Sequence, residues 1–299
     1  MKNIIISLFL FCIVITSCKK DANNNSQSSK KLYTVTFNAG NFIQQHTSIT
    51  NSLVRTNAVR LADYPTGADT STANPIIYAS IGPNTVEQTS SDPNFGTITT
   101  QLPAGTYSVF IIGGEESTDL LLSYSTTTQD FTYDNVAGDG LNDLFFKKFT
   151  ITVGSSGINQ NISLNRIVGK LDVVVQDSPP AGFNHFELTV SSYALSYNIN
   201  TGPVVLVGNY KQGLQGISTA SGIDVSSFIL DTTTPFNVTI AAVDDAGVTA
   251  YSKTISNVSC PANTDVVLSG YLFGGNGTGN GITVGADTTW NATTINYIF

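Results

Sequence analysis

Apolar and polar residues alternate along much of the chain, and a period of two is typical of β-strands with one buried face. In the segment Leu32–Asn38, the side chains of Tyr33, Val35 and Phe37 share one face, and mostly polar residues share the other. Further candidate strands follow at Thr106–Ile112, Phe145–Val153, Ile158–Leu164, Lys170–Val175, Phe186–Val190, Val204–Val207, Phe236–Val243, Val248–Ile255, Asp265–Phe273 and Thr294–Phe299. The pattern predicts an all-β protein built from many short strands.

Turn-forming residues between these segments predict how the strands are connected. The stretch Asp244–Gly247 joins two candidate strands as a hairpin, in which its glycine can adopt a positive φ angle. Strands do not alternate with helical segments, so we expect antiparallel β-sandwiches rather than a parallel α/β sheet. The best helix candidate is Ile49–Tyr64, where Val54 and Leu61 lie on one helical stripe.

Two strand-rich blocks of similar length predict two domains. We expect an N-terminal β-sandwich over residues 32–164 and a C-terminal β-sandwich, which includes the terminal strand, over residues 165–299. Each block is close to the common size of a domain and is long enough to bury its own core.

The N-terminus has the pattern of a secretory signal. A positive start at Met1–Asn3 precedes an apolar run, Ile4–Ile15, which is too short to cross a bilayer as a helix. The tetrapeptide Ile15–Cys18 then resembles the lipobox of bacterial lipoproteins, in which the cysteine is acylated and the preceding peptide is removed. We therefore predict a lipoprotein signal peptide over residues 1–17 and lipidation at Cys18. The alternative is an ordinary signal peptide that contains a cysteine by chance.

Residues 18–31 follow as a flexible polar tether that buries too little apolar surface to fold by itself. Acyl chains such as palmitate on Cys18 would hold the mature protein stably on a membrane. The charged patch Lys19–Asp21 resembles the surface-export signals of Bacteroidetes lipoproteins. We expect an outer-membrane lipoprotein that faces the cell surface, with a periplasm-facing orientation as the alternative. Cys260 is then the one free thiol of the mature chain, and we expect it to be a small buried residue.

Charge and composition narrow the classes of function. The chain has 299 residues with 13 Lys and Arg against 21 Asp and Glu, which gives a formal net charge of −8. So few scattered basic residues cannot neutralise a phosphate backbone, and we expect no nucleic-acid partner. Only 11% of the residues are charged, and the usual surface residues of helices are scarce, which argues against a helical bundle.

Candidates for catalysis and metal binding are sparse. His46 and His185 are the only histidines, and neither lies in a recognised nucleophile or metal motif, so we expect no enzymatic activity and no cofactor. The best metal candidate is an acidic loop whose oxygen ligands would suit Ca²⁺, although it does not match an EF-hand. Its candidate ligands are Asp134, Asp139, Asn142 and Asp143. A solvated turn uses the same residue types, and we expect this one to hold no ion.

Two features near the C-terminus have both a binding and a structural interpretation. Gly274–Gly281 is rich in glycine but contains no lysine, so we expect a surface linker rather than a phosphate-binding loop. Trp290, Tyr297 and Phe299 would suit a platform that stacks on sugar rings, or else belong to the hydrophobic core around the terminal strand.

Three segments in the middle of the chain match a known pattern in their order and spacing. Leu102–Tyr107 reads LPAGTY and is followed by Gly113–Gly114, Asn142–Phe146 reads NDLFF, and Asn165–Val173 reads NRIVGKLDV. These segments resemble the corresponding strands of the fimbrillin superfamily of Bacteroidetes, although Gly169 replaces the family's usual alanine. The resemblance implies two tandem transthyretin-like antiparallel β-sandwich domains and a structural or adhesive role.

Together with the lipobox, this resemblance predicts a lipid-anchored cell-surface protein that works in fimbrial anchoring, assembly or adhesion. The alternative is a surface glycan-binding lipoprotein of a polysaccharide-uptake system. Glycans and host surfaces are therefore candidate partners beside other fimbrial subunits.

Strand exchange is the mode of partnership that the resemblance implies. In polymerising fimbrillins, cleavage after an arginine removes the first strand, and a partner's strand fills the exposed groove. Here Arg55 and Arg60 are the candidate processing sites, and Thr294–Phe299 is either a donor strand or the last strand of its own sheet. The mature protein is then either intact from Cys18 and caps a filament, or begins after one of these arginines and polymerises.

Overall fold

The structure, a computed structural model, describes residues 30–39, 59–60, 74–116, 120–125, 130–135, 141, 143–183, 185–205, 209–215, 223–244, 246–274 and 295–298. The regular elements in these ranges are β-strands, and no helix long and apolar enough to span a membrane occurs among them. The earlier strands are β1 (Leu32–Asn38), β2 (Val59–Arg60), β3 (Asn74–Ile81), β4 (Asn84–Thr89), β5 (Thr97–Pro103), β6 (Gly105–Glu116), β7 (Leu120–Ser125), β8 (Asp130–Asn135), β9 (Leu144–Val153) and β10 (Ile158–Asn161). The later strands are β11 (Asn165–Arg166), β12 (Gly169–Val175), β13 (His185–Ser191), β14 (Ala194–Asn198), β15 (Gly202–Val205), β16 (Asn209–Gln215), β17 (Ile223–Ile229), β18 (Phe236–Val243), β19 (Thr249–Val258), β20 (Asp265–Gly270) and β21 (Ile295–Ile298).

Two sheets in the first half of the chain enclose a hydrophobic core. One sheet has the strand order β10-β1-β5, and the other has the order β11-β9-β6-β3-β4. Val35 and Phe37 of β1 belong to the same buried cluster as Ile111 of β6 and Phe145 of β9, and all four side chains are inaccessible to solvent. The alternation in the sequence thus becomes the inward and outward faces of a sandwich.

A second pair of sheets encloses another core. Their strand orders are β2-β17-β12-β20-β21 and β16-β13-β18-β19. Leu171 of β12 and Leu268 of β20 belong to the same cluster as Phe186 of β13. Strand β12 is buried along its whole length, which is why it is almost continuously apolar, with Lys170 and Asp172 as the exceptions.

A fifth sheet joins the two halves of the chain. Its order is β15-β14-β8-β7, so strands from before and after residue 165 hydrogen-bond to each other. Tyr124 of β7 packs on Phe110 of β6 with ring centroids 5.0 Å apart, and Tyr197 of β14 packs on Phe146 of β9 at 5.2 Å. Leu32–Phe299 forms one compact unit. The predicted boundary between residues 164 and 165 falls between β10 and β11 and stays a prediction.

The all-β prediction is confirmed, but the sheets are not purely antiparallel. Strand β1 pairs in parallel with β10, and the same direction relates β12 to β20, β20 to β21 and β17 to β2. Side chains alternate between the two faces in both kinds of sheet, so the alternation by itself carries no information on strand direction.

The predicted helix over Ile49–Tyr64 is wrong where the structure describes that segment. Val59–Arg60 forms β2 and pairs in parallel with β17, with Val59 opposite Ile223. Backbone pairing with a neighbouring strand therefore replaces helical hydrogen bonds at these residues. The rest of the segment lies outside the described residues.

Strand directions show where the chain enters the fold. Asn38 at the end of β1 pairs with Asn161 of β10, shortly before the chain passes into β11 and β12. At the end of the first sandwich where Asn38 lies, the Ile167 N–H, just before β12, donates to the Leu144 carbonyl oxygen at the start of β9. Leu32 at the start of β1 therefore lies at the end of the first sandwich that is turned away from β12.

Candidate functional site

A buried ion pair joins two of the segments that resemble fimbrillins. Asp143 precedes β9, and Arg166 lies in β11, which pairs with β9 through Phe145 and Phe146. Arg166 Nε donates to Asp143 Oδ1 at 2.8 Å, and Nη2 donates to Oδ2 at 2.9 Å. The two side chains are only 7% and 3% exposed. A bidentate pair of this kind is strong and directional, so it fixes the passage from the first half of the chain to the second.

The third guanidinium nitrogen reaches the C-terminal part of the chain. Arg166 Nη1 donates to Asn263 Oδ1 at 2.9 Å, and the guanidinium carbon lies 4.7 Å from the centroid of the Phe145 ring. Asn263 has a φ of 56°, a left-handed conformation that asparagine adopts more readily than most residues. Its N–H donates to the Val168 carbonyl oxygen. Arg166 thus ties together the start of β9, the start of β12 and the turn before β20.

Tyr193 forms a second buried link between the halves. Its hydroxyl donates to the Phe228 carbonyl oxygen at 2.9 Å and accepts the Leu141 N–H at 3.1 Å. Leu141 and Phe228 also form an isolated bridge. Burial raises the pKa of the Tyr193 phenol well above its ordinary value, so the hydroxyl stays neutral and continues to donate.

The LPAGTY segment is a tight turn locked by its tyrosine. Tyr107 at the start of β6 donates from its hydroxyl to the carbonyl oxygen of Pro103 at the end of β5, at 2.9 Å. Gly82 has a φ of 59°, and a Cβ atom there would lie 2.5 Å from Cδ1 of the Tyr107 ring. The motif therefore serves the fold by closing the turn between two sheets.

The first strand is a central element of its sheet. Strand β1 is hydrogen-bonded to β10 on one side and to β5 on the other. The inward residues Val35 and Phe37, and Ala39 just after the strand, are inaccessible to solvent. Removal of β1 would uncover the core and leave the facing edges of both neighbours without hydrogen-bond partners.

The last strand completes its own sheet. Strand β21 pairs in parallel with β20, with Val266 opposite Ile295 and Ser269 opposite Ile298. This is one of the two arrangements expected for the C-terminal segment, and the donor role stays a prediction. Trp290 and Phe299 lie outside the described residues.

The candidate processing sites and the lipidation site stay predictions as well. Arg60 lies in β2, where its backbone is paired opposite Asp224 of β17. Arg55 and Cys18 lie outside the described residues.

The structure describes only part of the predicted acidic loop. Asp143 gives both carboxylate oxygens to Arg166, and Asp134 lies in β8, paired with β7. Asp139 and Asn142 lie outside the described residues. Within the described ranges, no group of three or more His, Cys, Asp or Glu side chains is placed to hold a metal ion.

The remaining titratable candidates are parts of the packed sandwich. Cys260 is 1% exposed, and its Sγ–H donates to the Lys170 carbonyl oxygen at 3.4 Å, which confirms the prediction of a small buried residue. Burial raises the pKa of this thiol, so it stays protonated. His185 begins β13, half-buried, with Nε2 3.8 Å from Glu187 Oε1. His46 lies outside the described residues.

Sequence reasoning missed two polar pairs that the structure reveals. The partner of Arg166 had no local signal, because Asp143 is 23 residues away in the chain. The pair of Lys170 and Asp172 did have a local signal in the sequence. They stand two residues apart in an otherwise apolar strand, which puts both side chains on one face, and Nζ lies 3.0 Å from Oδ1.

The paired sheets, together with the buried Arg166 and Tyr193 contacts between the two halves, define the class of the chain as an all-β protein. No protein-family model matches the sequence, and no curated protein matches it. Solved structures similar to it include a candidate adhesin from Bacteroides ovatus, with 9% identity, a TM-score of 0.48 and coverage of 76% of this chain and 83% of that one. The fimbrial anchor protein Mfa2 from Porphyromonas gingivalis has 13% identity and a TM-score of 0.43, covering 75% and 82%. A candidate polysaccharide-binding protein from Bacteroides thetaiotaomicron has 12% identity and a TM-score of 0.41, covering 62% and 72%.

Proposed function

We propose that this chain is a lipid-anchored outer-membrane protein of the fimbrillin type, exposed at the cell surface, that anchors or assembles a fimbria. Acylated Cys18 would supply the membrane attachment, since two or more acyl chains hold a protein stably where one does not. Residues 18–31 would then serve as the spacer between the membrane and β1. Mfa2 is a fimbrial anchor protein, and the proposal gives this chain the same class of role.

The observation that carries the anchor role is the central position of β1. The strand is bonded to neighbours on both sides, and Val35 and Phe37 fill the core of the first sandwich. Cleavage at Arg55 or Arg60 would separate this strand and the lipid from everything that follows. A subunit that keeps its own β1 offers no groove for a partner's strand in this sheet, so it ends a filament at that point instead of extending it.

We infer that the role is non-catalytic and that the partners are other fimbrial subunits. Strand β21 is paired in parallel with β20 at the end of its sheet. An edge strand can leave its sheet without disrupting the hydrogen bonds between the other strands. Residues 294–299 are therefore the segment that we expect to be exchanged with a neighbouring subunit.

Cysteine substitution tests the membrane attachment. We expect Cys18→Ser to prevent acylation and release or misplace the protein, because the acyl chains supply the membrane affinity. The matched control is Cys12→Ser, which changes a cysteine inside the predicted signal peptide and should leave the mature protein unchanged. Fractionation of membranes and the mass of the mature chain give the readout. A Cys18→Ser chain that stays in the membrane with an unchanged mass would contradict the proposal.

A further inference from the structure

A buried polar cluster lies in the sheet β2-β17-β12-β20-β21, and the proposed function does not use it. Lys170 and Asp172 of β12 are 5% and 2% exposed, and Asp265 of β20 is 1% exposed. Lysine and aspartate are almost never buried to this extent unless they interact with one another. The cluster therefore needs a structural or chemical reason of its own.

The register of the sheet places the three side chains on one face. Lys170 is opposite Asp265 in the parallel pair of β12 and β20, and paired residues on neighbouring strands point the same way. Asp172 comes two residues after Lys170 and shares its face, whereas Leu171 between them packs in the core of the second sandwich. The Lys170 amine and the Asp265 carboxyl group thus belong to adjacent strands, whose spacing is about 4.8 Å.

Asp172 is held against the amine by fixed contacts. Its Oδ1 and Oδ2 lie 3.0 Å and 3.1 Å from Lys170 Nζ, and Oδ1 also accepts a hydrogen bond from the Ser226 hydroxyl. Two apolar side chains share this face: Val174 is 9% exposed, and Val267, which is opposite Asp172, is 1% exposed. Water has little access to the amine and the two carboxyl groups.

Asp172 is placed to act as the base for the amine. Its two carboxylate oxygens contact Lys170 Nζ directly, so it can take a proton from the amine and free the lone pair for attack. An uncharged amine is a nucleophile, and a protonated carboxyl group can lose its hydroxyl as water. Adjacent strands hold the two groups at a high effective concentration, which replaces the activation that amide formation needs in solution.

We propose that Lys170 and Asp265 become joined by an intramolecular amide bond and that Asp172 transfers the protons. The lone pair of neutral Lys170 Nζ attacks Cγ of the protonated Asp265 carboxyl group and forms a tetrahedral intermediate. Asp172 accepts a proton from the nitrogen and returns it to the departing hydroxyl, which leaves as water. One N–C bond forms, one C–O bond breaks and one water is released, so the step needs no oxidant, reductant or cofactor.

The bond would connect the strand that leaves the first sandwich with a strand near the C-terminus. A covalent link between β12 and β20 closes a long loop and restricts the unfolded chain, as a disulfide does. It would also hold two parallel strands together under a pulling force that breaks hydrogen bonds one after another. The chemistry itself does not depend on the anchor role, so either proposal can fail without the other.

Peptide mapping of the full chain tests the cross-link directly. Trypsin cleaves after Lys and Arg, so an unmodified chain gives Leu171–Lys211 and a separate Thr254–Phe299. We expect instead a branched product in which Ile167–Lys211 is uncut at Lys170 and joined to Thr254–Phe299, about 18 Da lighter than the sum of the two peptides. Recovery of only the separate, unmodified peptides from the folded protein would overturn the proposal.

Three variants assign the roles within the cluster. Lys170→Met should abolish the branched peptide and lower the Tm by about 10 °C, since the cross-link is lost. Asp265→Asn should form the same amide with loss of ammonia, so its branched peptide has the wild-type mass. Asp172→Asn should reduce the cross-linked fraction at least about tenfold in protein that has folded, as shown by circular dichroism. An unchanged yield in Asp172→Asn would overturn the proton-transfer role, and a branched peptide in Lys170→Met would overturn the assignment of the amine.

Discussion

At the scale of single residues, the fold depends on close contacts that a larger side chain would break. Gly169 begins β12 beside the segment that leads into β20. A Cβ atom at this position would lie 2.6 Å from both the Cys260 Sγ and the Pro261 carbonyl oxygen. The glycine that departs from the fimbrillin pattern is therefore required by the backbone that passes over it.

We expect Gly169→Ala to lower the free energy of unfolding by about 1–3 kcal/mol, because the new methyl group overpacks against backbone as well as a side chain. Urea denaturation measures the change. Gly154→Ala is the matched control, since a Cβ atom there meets no other atom within 4 Å, and its effect should stay within about 0.5 kcal/mol. Equal effects of the two substitutions would contradict the steric explanation.

Two buried groups should make the protein less stable in alkaline solution. Burial raises the pKa of the Cys260 thiol and of the Tyr193 phenol in the folded state, whereas they titrate near ~8.5 and ~10 in the unfolded chain. Above these values the unfolded chain releases protons that the folded protein retains. The contribution of these two groups to the free energy of unfolding should therefore be constant below about pH 8 and fall above it, by up to about 1.4 kcal/mol per pH unit for each group.

Denaturation in urea at several pH values between about 7 and 10 measures this dependence. Cys260→Val should remove the part of the fall that begins near pH ~8.5 and leave the part that begins near pH ~10. An identical pH profile in the variant would show that the thiol is not the group that titrates.

At the scale of elements, the sequence was enough to locate many strands, but not all of them. Strand β18 and the hairpin that follows it lie where predicted, and Gly247 has the expected positive φ, at 80°. Several strands were missed, among them β3, β4, β8, β14 and β16. Strands β5 and β17 were also missed, and each has a polar residue in an inward position. Thr100 stands between the buried Ile98 and Leu102, and Ser227 likewise interrupts the apolar face of β17.

Apart from the hairpin of β18 and β19, strand partners and long-range ion pairs could not be predicted from the pattern. Burial of one face fixes which residues of a strand point inward, but not which strand lies beside it. The pair of Asp143 and Arg166 depends on which strands are neighbours, because it forms only once β9 and β11 are adjacent.

We expect Asp143→Ala to lower the free energy of unfolding by about 3–5 kcal/mol, because it leaves the buried Arg166 guanidinium without its carboxylate. Replacing both partners, as in Asp143→Leu with Arg166→Met, should cost less than the single change, since no buried charge then remains. Denaturant unfolding of the wild type and the two variants measures these differences. A single variant that costs less than about 1 kcal/mol, or a double variant that is the less stable of the two, would contradict a structural role for the pair.

At the scale of the whole molecule, the path of the chain suits a protein that is held at one end. The chain enters at Leu32 and immediately forms β1, which is bonded on both sides. It then passes through the Arg166 and Tyr193 contacts into the second sandwich. A load applied through the proposed lipid and tether would therefore fall first on a strand that is built into the core.

The N-terminus of the protein recovered from the cell surface tests the anchor role most directly. Mass spectrometry of the N-terminal peptide identifies both the first residue and any attached lipid. We predict that the chain begins at an acylated Cys18 and retains Leu32–Asn38, because an anchor must keep β1 connected to its lipid. A surface protein that begins at Thr56 or Leu61 and carries no lipid would contradict this account, since β1 would then have been removed from the fold.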